Sequence, residues 1–387
     1  MIRLVMHSRL YPEARDRLQK AAERAKKDLS TLSAVSGDGP TRRFEAFLED
    51  ELDANYALCQ TNGTSALETA LLASGVGPDD EVILPAYTWP QTLSPVLRRG
   101  ATAVFADIAP EAATVDPESV KARVSPKTSA IVGVYIHGYP PPVARLEEIA
   151  DQAGASLIFD AAQGFGAAIG GKRAGAYGDY VAMSFGRGKL YSIGEGGALL
   201  CQTRMHYERA VAVSQHPLRA HRHIDDKDRR QTLDGVVTNA RLSPLLAEVG
   251  IGQLKGMRRA GVRNPLHERF SRALEEIEGL GLGPALPTVP EEGRPSGAEI
   301  PLSTGNTAEI DPGKLEDAVE GYAAHEGGLS APLYETPTTR KGGFPLHAED
   351  SLPVSAHKTH RGGSCTHCEA RCEGRQIILT STGIDQG

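Results

Sequence analysis

The sequence predicts an α/β protein: a large domain with a mainly parallel sheet between helices, plus a smaller C-terminal α/β lobe. Three observations predict it. The chain has 387 residues, more than most single domains, so two lobes are the default. Between residues 56 and 202, short apolar runs alternate with helical patterns, and strands that alternate with helices need crossovers and hence parallel pairing. Hydrophobic residues make up 40% of the chain, an ordinary share for a soluble globular protein.

Taken in order, the expected strands are YALC (56–59), EVILP (81–85), TAVFAD (102–107), AIVGVYI (130–136), SLIFDA (156–161), YVAMSF (180–185) and GALLCQ (197–202). Helical segments fall between them, such as SALETALLAS (65–74) and VARLEEIADQAG (143–154). In the second, Val143, Leu146, Ile149 and Ala150 recur at helical spacing. Residues 215–235 break the rhythm with His216, Arg219, His221, Arg222, His223, Lys227, Arg229 and Arg230, a charge density expected of a solvated loop. Helical patterns resume at LSPLLAEVGIGQL (242–254) and ERFSRALEEIEGL (268–280). Residues 281–313 are rich in Gly and Pro and read as connecting segments, and RQIILTST (375–382) reads as a further strand. The large domain, with an N-terminal arm, is placed at 1–249 and the small one at 250–387.

Charge and composition exclude several classes. The net charge is −7, without the basic excess of a duplex nucleic-acid binder. No apolar run approaches the roughly 20 residues of a membrane helix. The opening MIRLVMHSRLYPEARDR lacks a signal-peptide core, so the cytoplasm is the expected compartment. Cys59 and Cys201 end apolar stretches as ordinary buried thiols would, while Cys365, Cys368 and Cys372 cluster near the C-terminus. An odd cysteine count argues against a disulfide framework.

In parallel sheets ligands collect at the carboxyl ends of the strands, which directs attention to the residues after each run. Thr61-Asn62-Gly63-Thr64-Ser65 leads from the first run into a helix. A helix N-terminus offers N–H groups to an anion, although Asn62 or Thr64 would equally serve as a simple cap. Asp160 ends a very apolar strand, where a carboxylate needs either a cationic partner or a capping role. Gln163, three residues on, reaches the same cleft. Lys189 sits in SFGRGKLYSIGEGG (184–197) among five glycines. Such a loop allows close approach to a ligand, and a desolvated lysine becomes a nucleophile, whereas most lysines are simply solvated. Trp89, the only tryptophan, is suited either to the core or to stacking on a flat aromatic ligand.

Together these residues resemble the sugar aminotransferase family of fold-type-I pyridoxal-phosphate enzymes, the DegT/StrS family. The resemblance runs from GPTRRFEAFL (39–48) to QLKGMRR (253–259) and is strongest in NGTSALETAL, DEVILPAYTW, FDAAQGFGA and SFGRGKLYSIGEGG. It implies a pyridoxal 5'-phosphate cofactor carried covalently by Lys189, which later moves a proton. It implies that Asp160 faces the pyridine nitrogen, that Trp89 stacks on the ring, and that Gln163 lies beside the ring's phenolic oxygen. Gly63, Thr64, Ser65 and Ser184 match the phosphate cup. Thr238-Asn239-Ala240-Arg241-Leu242-Ser243 resembles a stretch whose asparagine reaches the partner subunit's phosphate site, implying a homodimer with shared sites. Two features depart from the family. Tyr135 stands where a histidine is usual, with His137 just before Gly138, and THRGGSCTHCEARC (359–372) carries half of a zinc-site spacing although the family implies no metal.

The implied reaction moves an amino group from an amino acid, glutamate or glutamine, to a keto-sugar or keto-cyclitol. A nucleotide-linked sugar would need cations, which the 216–230 segment could supply, and the Thr88-Trp89 pair is closer to the cyclitol branch. The alternatives are a sugar dehydratase-like enzyme on the same cofactor, which Lys189 argues against, and a non-catalytic cofactor-binding regulator.

Overall fold

The computed structural model describes residues 10–109, 111–225, 238–261, 263–281, 286–297, 299–303, 319, 322–326 and 376–381. Cys365, Cys368 and Cys372, His360 and His367, and the Lys227–Arg230 end of the basic segment lie outside the described residues.

In chain order the first strands are β1 (Tyr56–Gln60), β2 (Glu81–Pro85), β3 (Thr102–Ala106), β4 (Thr128–Val134) and β5 (Ser156–Asp160). They are followed by the short β6 (Ala168–Ile169) and β7 (Lys172–Arg173), then β8 (Tyr180–Ser184) and β9 (Gly197–Cys201). Seven of these build one sheet in the order β1-β9-β8-β5-β4-β2-β3. Only β9 runs against its neighbours, so the sheet is mainly parallel, as the alternation of runs and helices predicts. All seven apolar runs form its strands. β4 ends two residues earlier than expected, because His137 takes a left-handed conformation (φ 54°) and turns the chain out of the sheet.

Both faces of the sheet are covered, which explains the near-continuous apolar runs. Side chains alternate along a strand. In β5, Leu157 and Phe159 join the core formed with Phe44 and Leu48 of the helix Pro40–Leu52. Ile158 joins the opposite core, which holds Ala66 and Leu67 of the helix Gly63–Ala73 and Leu93 and Val96 of the helix Pro90–Arg98. Asp160 therefore emerges on the face that those two helices cover. Cys59 and Cys201 are buried free thiols within these cores.

The helix Pro244–Ala260 packs on the helices Pro12–Lys27 and Pro40–Leu52. Its buried Glu248 receives Arg17, Arg24 (3.0 Å) and Arg43 (2.8 Å) from them. The division drawn at 249/250 falls inside this continuous helix. We propose Gly261, its left-handed C-cap, as the boundary. Beyond it, the helix Arg263–Gly279 sets Phe270, Ala273 and Ile277 against Ile300 and Leu302. After β10 (Gly293–Arg294), the strands β11 (Glu299–Ser303), β12 (Tyr322–Glu326) and β13 (Gln376–Ser381) form a small antiparallel sheet, and β13, the strand expected at 375–382, lies in its middle.

The reading of residues 215–235 as a solvated loop requires correction at its start. Pro217–His223 is a helix, and Arg219 on it is 1% exposed. Its guanidinium lies 2.8 Å from both oxygens of the buried Glu45, and Glu45 also accepts the Cys59 N–H at 2.9 Å. A cation read as solvated is thus held inside by a carboxylate distant in sequence. Arg219→Ala leaves Glu45 buried and unpaired, which costs about 3–5 kcal/mol of stability. Urea unfolding measures it, and a loss under about 1 kcal/mol would contradict the pairing's importance.

Candidate active site

At the carboxyl ends of β4, β5 and β8 lies a cavity of about 300 Å³, where the rule for parallel sheets locates a ligand. Seven of the nine residues singled out from the sequence line it: Gly63, Thr64, Trp89, Asp160, Gln163, Ser184 and Lys189. Ser65 and Asn239 do not.

One wall is the N-terminus of the helix Gly63–Ala73. Asn62 caps it, its side chain accepting the Ser65 N–H at 2.8 Å. The Ser65 hydroxyl is 2.8 Å from that of Thr61, so Ser65 orders the turn instead of facing the cavity. The N–H groups of Gly63 and Thr64 precede the first intrahelical bond and lie at the positive end of the helix dipole. A Cβ on Gly63 would come within 2.9 Å of the Ser184 Cβ, so only glycine lets this turn sit so close to the end of β8. Capping and anion binding are thus compatible here: Asn62 does the first and leaves two N–H groups for the second.

The opposite wall carries the charges. Asp160 is 7% exposed. Its Oδ2 accepts the Thr92 hydroxyl at 2.7 Å and its Oδ1 the Ala162 N–H at 3.1 Å. The Thr92 hydroxyl is in turn 2.8 Å from that of Thr88, so Thr88 is engaged in this chain behind Asp160. Burial raises the Asp160 carboxyl above the ordinary range, while the two hydrogen bonds and the charge of Lys189 pull it back. Burial lowers the Lys189 ammonium below its ordinary value, against the opposing charges of Asp160 and Glu299. Gly188, immediately before the lysine, has φ 85°, a turn that a side chain would strain. The site therefore presents an amine eased toward its neutral, nucleophilic form and a carboxylate that a further cation would stabilise.

Trp89 is not a core residue. It precedes the helix Pro90–Arg98, is 53% exposed and stands at the cavity wall, as a stacking platform would. Tyr135, at the position where a histidine is usual, turns its ring into the core, edge-on to Phe159. Asn239 is exposed on a pinned segment, since the N–H groups of Thr238 and Ala240 donate to Val213 O (3.2 Å) and Ser214 O (3.0 Å). The helix that follows is capped by Ser243, not Asn239.

Sequence reasoning missed Thr92 as the hydroxyl donor to Asp160. Its signal was available: Thr92 lies four residues after Thr88, one turn along a helix that begins at the carboxyl end of a strand. It also missed Glu299, which comes from the small lobe.

Comparison with known proteins follows the same lines. The chain is 32% identical over 213 residues to a GDP-perosamine synthase of Vibrio cholerae, covering 55% of this chain and 56% of that protein. It is 38% identical over 172 residues to an L-glutamine:2-deoxy-scyllo-inosose aminotransferase of Streptomyces kanamyceticus, covering 43% and 40%. The chain spans about half the length of the curated relatives it matches. Its fold is similar to that of DesI, whose structure was determined with its TDP-sugar product (TM-score 0.72, 26% identity, 98% of this chain and 88% of that one). The family model of the DegT/DnrJ/EryC1/StrS aminotransferases matches residues 19–355, a span holding all seven strands of the main sheet and every wall of the cavity, and the chain belongs to that family.

Proposed function

We propose that this protein is a pyridoxal-phosphate-dependent aminotransferase that moves an amino group from an amino acid to a keto-sugar or keto-cyclitol. One observation carries the reading: a partly buried lysine and a buried aspartate share a cavity with an anion-binding helix N-terminus. That set fits the cofactor, which combines a phosphate, an aldehyde and a basic ring nitrogen. The turn at Gly63, closed to any side chain by Ser184, leaves its N–H groups open to phosphate oxygens, and a protonated ring nitrogen would add to the charge of Lys189 in stabilising the buried Asp160.

When bound, the cofactor supplies an aldehyde for amine exchange and an electron-withdrawing protonated ring. The chain's own residues do the rest. Gly63 and Thr64 N–H and the Ser184 hydroxyl would hold the phosphate. Asp160, held by Thr92 and Ala162, would keep the ring nitrogen protonated. Trp89 would offer the ring a stacking surface. Lys189 Nζ would hold the cofactor's aldehyde carbon and would carry the proton at the reacting carbon.

Adding pyridoxal phosphate to the purified protein should produce a visible absorption band, and glutamate or glutamine should abolish it. A band that persists with every amino donor would favour a non-catalytic binder.

We further propose a homodimer with shared sites, located in the cytoplasm, where buried free thiols such as Cys59 and Cys201 stay reduced. The exposed, pinned Asn239 supports the shared site, reaching a partner's phosphate. Mixing Lys189→Ala with Asn239→Ala subunits should then restore activity above either parent, because each mixed dimer holds one intact site. No recovery despite subunit exchange, with Asn239→Ala itself impaired, would count against sharing.

A further inference from the structure

A small cluster behind the cavity joins the two lobes. His137 is 5% exposed and takes a left-handed conformation (φ 54°, ψ 16°), uncommon for a residue with a side chain. Its Nδ1 lies 2.6 Å from Oε2 of Glu299, the first residue of β11 in the small lobe, and its Nε2 is 3.4 Å from the Tyr87 hydroxyl. The same two residues hold the amide of Gln163. The His137 backbone N–H donates to Gln163 Oε1 at 2.9 Å, and Gln163 Nε2 donates to Glu299 Oε2 at 3.4 Å. The docking extends to the next turn: the Ser296 N–H donates to Gly138 O at 2.9 Å, and a Cβ on Gly138 would collide with the Ser296 hydroxyl.

The orientation of the Gln163 amide follows from these partners. A backbone N–H can only donate, so it must meet the amide oxygen, and an ionised carboxylate can only accept, so it must meet the amide nitrogen. One amide hydrogen is then directed at Glu299 and the other is left for the cavity that Gln163 lines. A free amide in a cavity could present either end to a ligand. This one presents a donor.

We propose that His137 and Glu299 are positioning residues: they fix Gln163 as a hydrogen-bond donor to an anionic oxygen on the ring of the bound cofactor, and they make that donor depend on the docking of the small lobe. The proposal rests on the cofactor reading above. It gives the strained turn at His137 a purpose, since relaxing it would move the backbone N–H and the imidazole together away from Gln163 and Glu299.

The test is a double-mutant cycle on cofactor affinity, read as the dissociation constant for pyridoxal phosphate from its absorbance. Gln163→Ala and Glu299→Ala should each weaken binding roughly fivefold to tenfold, the size of one hydrogen bond. The double variant should be no weaker than about the weaker single one, because Glu299 acts through Gln163. Glu299→Gln keeps an acceptor in place and should recover most of the affinity. Should Glu299→Ala fail to fold, His137→Gly serves instead. It keeps the backbone N–H, tolerates the left-handed conformation and removes only the imidazole, and it too should be non-additive with Gln163→Ala. Multiplicative losses in the double variant, or wild-type affinity in Glu299→Ala or Gln163→Ala, overturn the proposal. If wild-type protein binds no pyridoxal phosphate, it is the cofactor reading that fails.

Discussion

Lys189→Ala abolishes turnover, by at least roughly three orders of magnitude, while the protein still binds pyridoxal phosphate more weakly. In the proposed reaction the substitution removes the covalent attachment point and the proton carrier at once. Thr92 and Ala162 still hold Asp160, and the turn at Gly63–Thr64 does not depend on the lysine. Two measurements check this. Single-turnover spectra with an amino donor should show no conversion of the bound cofactor. Borohydride reduction of the wild-type protein, followed by peptide mass spectrometry, should place the cofactor on Lys189, and a label on any other lysine would sink the assignment.

Asp160→Asn keeps the fold and loses roughly two to three orders of magnitude in rate. The replacement matches in size but not in charge. An aspartate can accept from both Thr92 and the Ala162 N–H, as it does here, whereas an asparagine sets an NH₂ group against one of these donors. More importantly, in the proposed role an amide would not stabilise a protonated ring nitrogen, so the electron sink would weaken. Burial raises the carboxyl above its usual range, while the Thr92 and Ala162 hydrogen bonds and the charge of Lys189 favour its ionised form. A rate within a few-fold of wild type would remove Asp160 as the ring's partner. Thr92→Val should show a smaller loss of the same kind, about tenfold, since it leaves the charge and removes one donor.

The parts legible in the sequence were those with local causes. The seven strands of the main sheet announce themselves because both faces are buried, so each is an apolar run ended by turn residues. That Asp160 and Lys189 line one cavity was legible because the first is a carboxylate at the end of an apolar strand and the second lies in the glycine-rich loop after another. What escaped was set by distant partners. Arg219 sits in a basic stretch, and only the fold shows that Glu45 lies beneath it, 174 residues away in sequence. Glu299 meets His137 across 162 residues, and no spacing encodes that. β11 was hidden in a Gly- and Pro-rich stretch that reads as connection, because its short EIPLS run is a strand only once Ile300 and Leu302 find Phe270 and Ile277. The helix Pro244–Ala260 runs through the 249/250 division despite Gly250, Gly252 and Gly256, because its packing, not its propensity, keeps it continuous.

The position of β9 has a consequence for how the protein is born. It is inserted between β1 and β8, pairing with both, so the edge of the sheet that carries Gly63 joins the rest only through a strand made much later. A ribosome that has released residues 56–74 has exposed the turn at Gly63–Thr64 but not the strand β9 that joins it to the rest of the sheet. Until Gly197–Cys201 emerges, the nascent chain has a lysine and an aspartate on one fragment and the cradle on another. Capture of the cofactor during synthesis therefore waits on completion of the sheet, and a stalled chain ending before residue 197 would leave the ligand unclaimed.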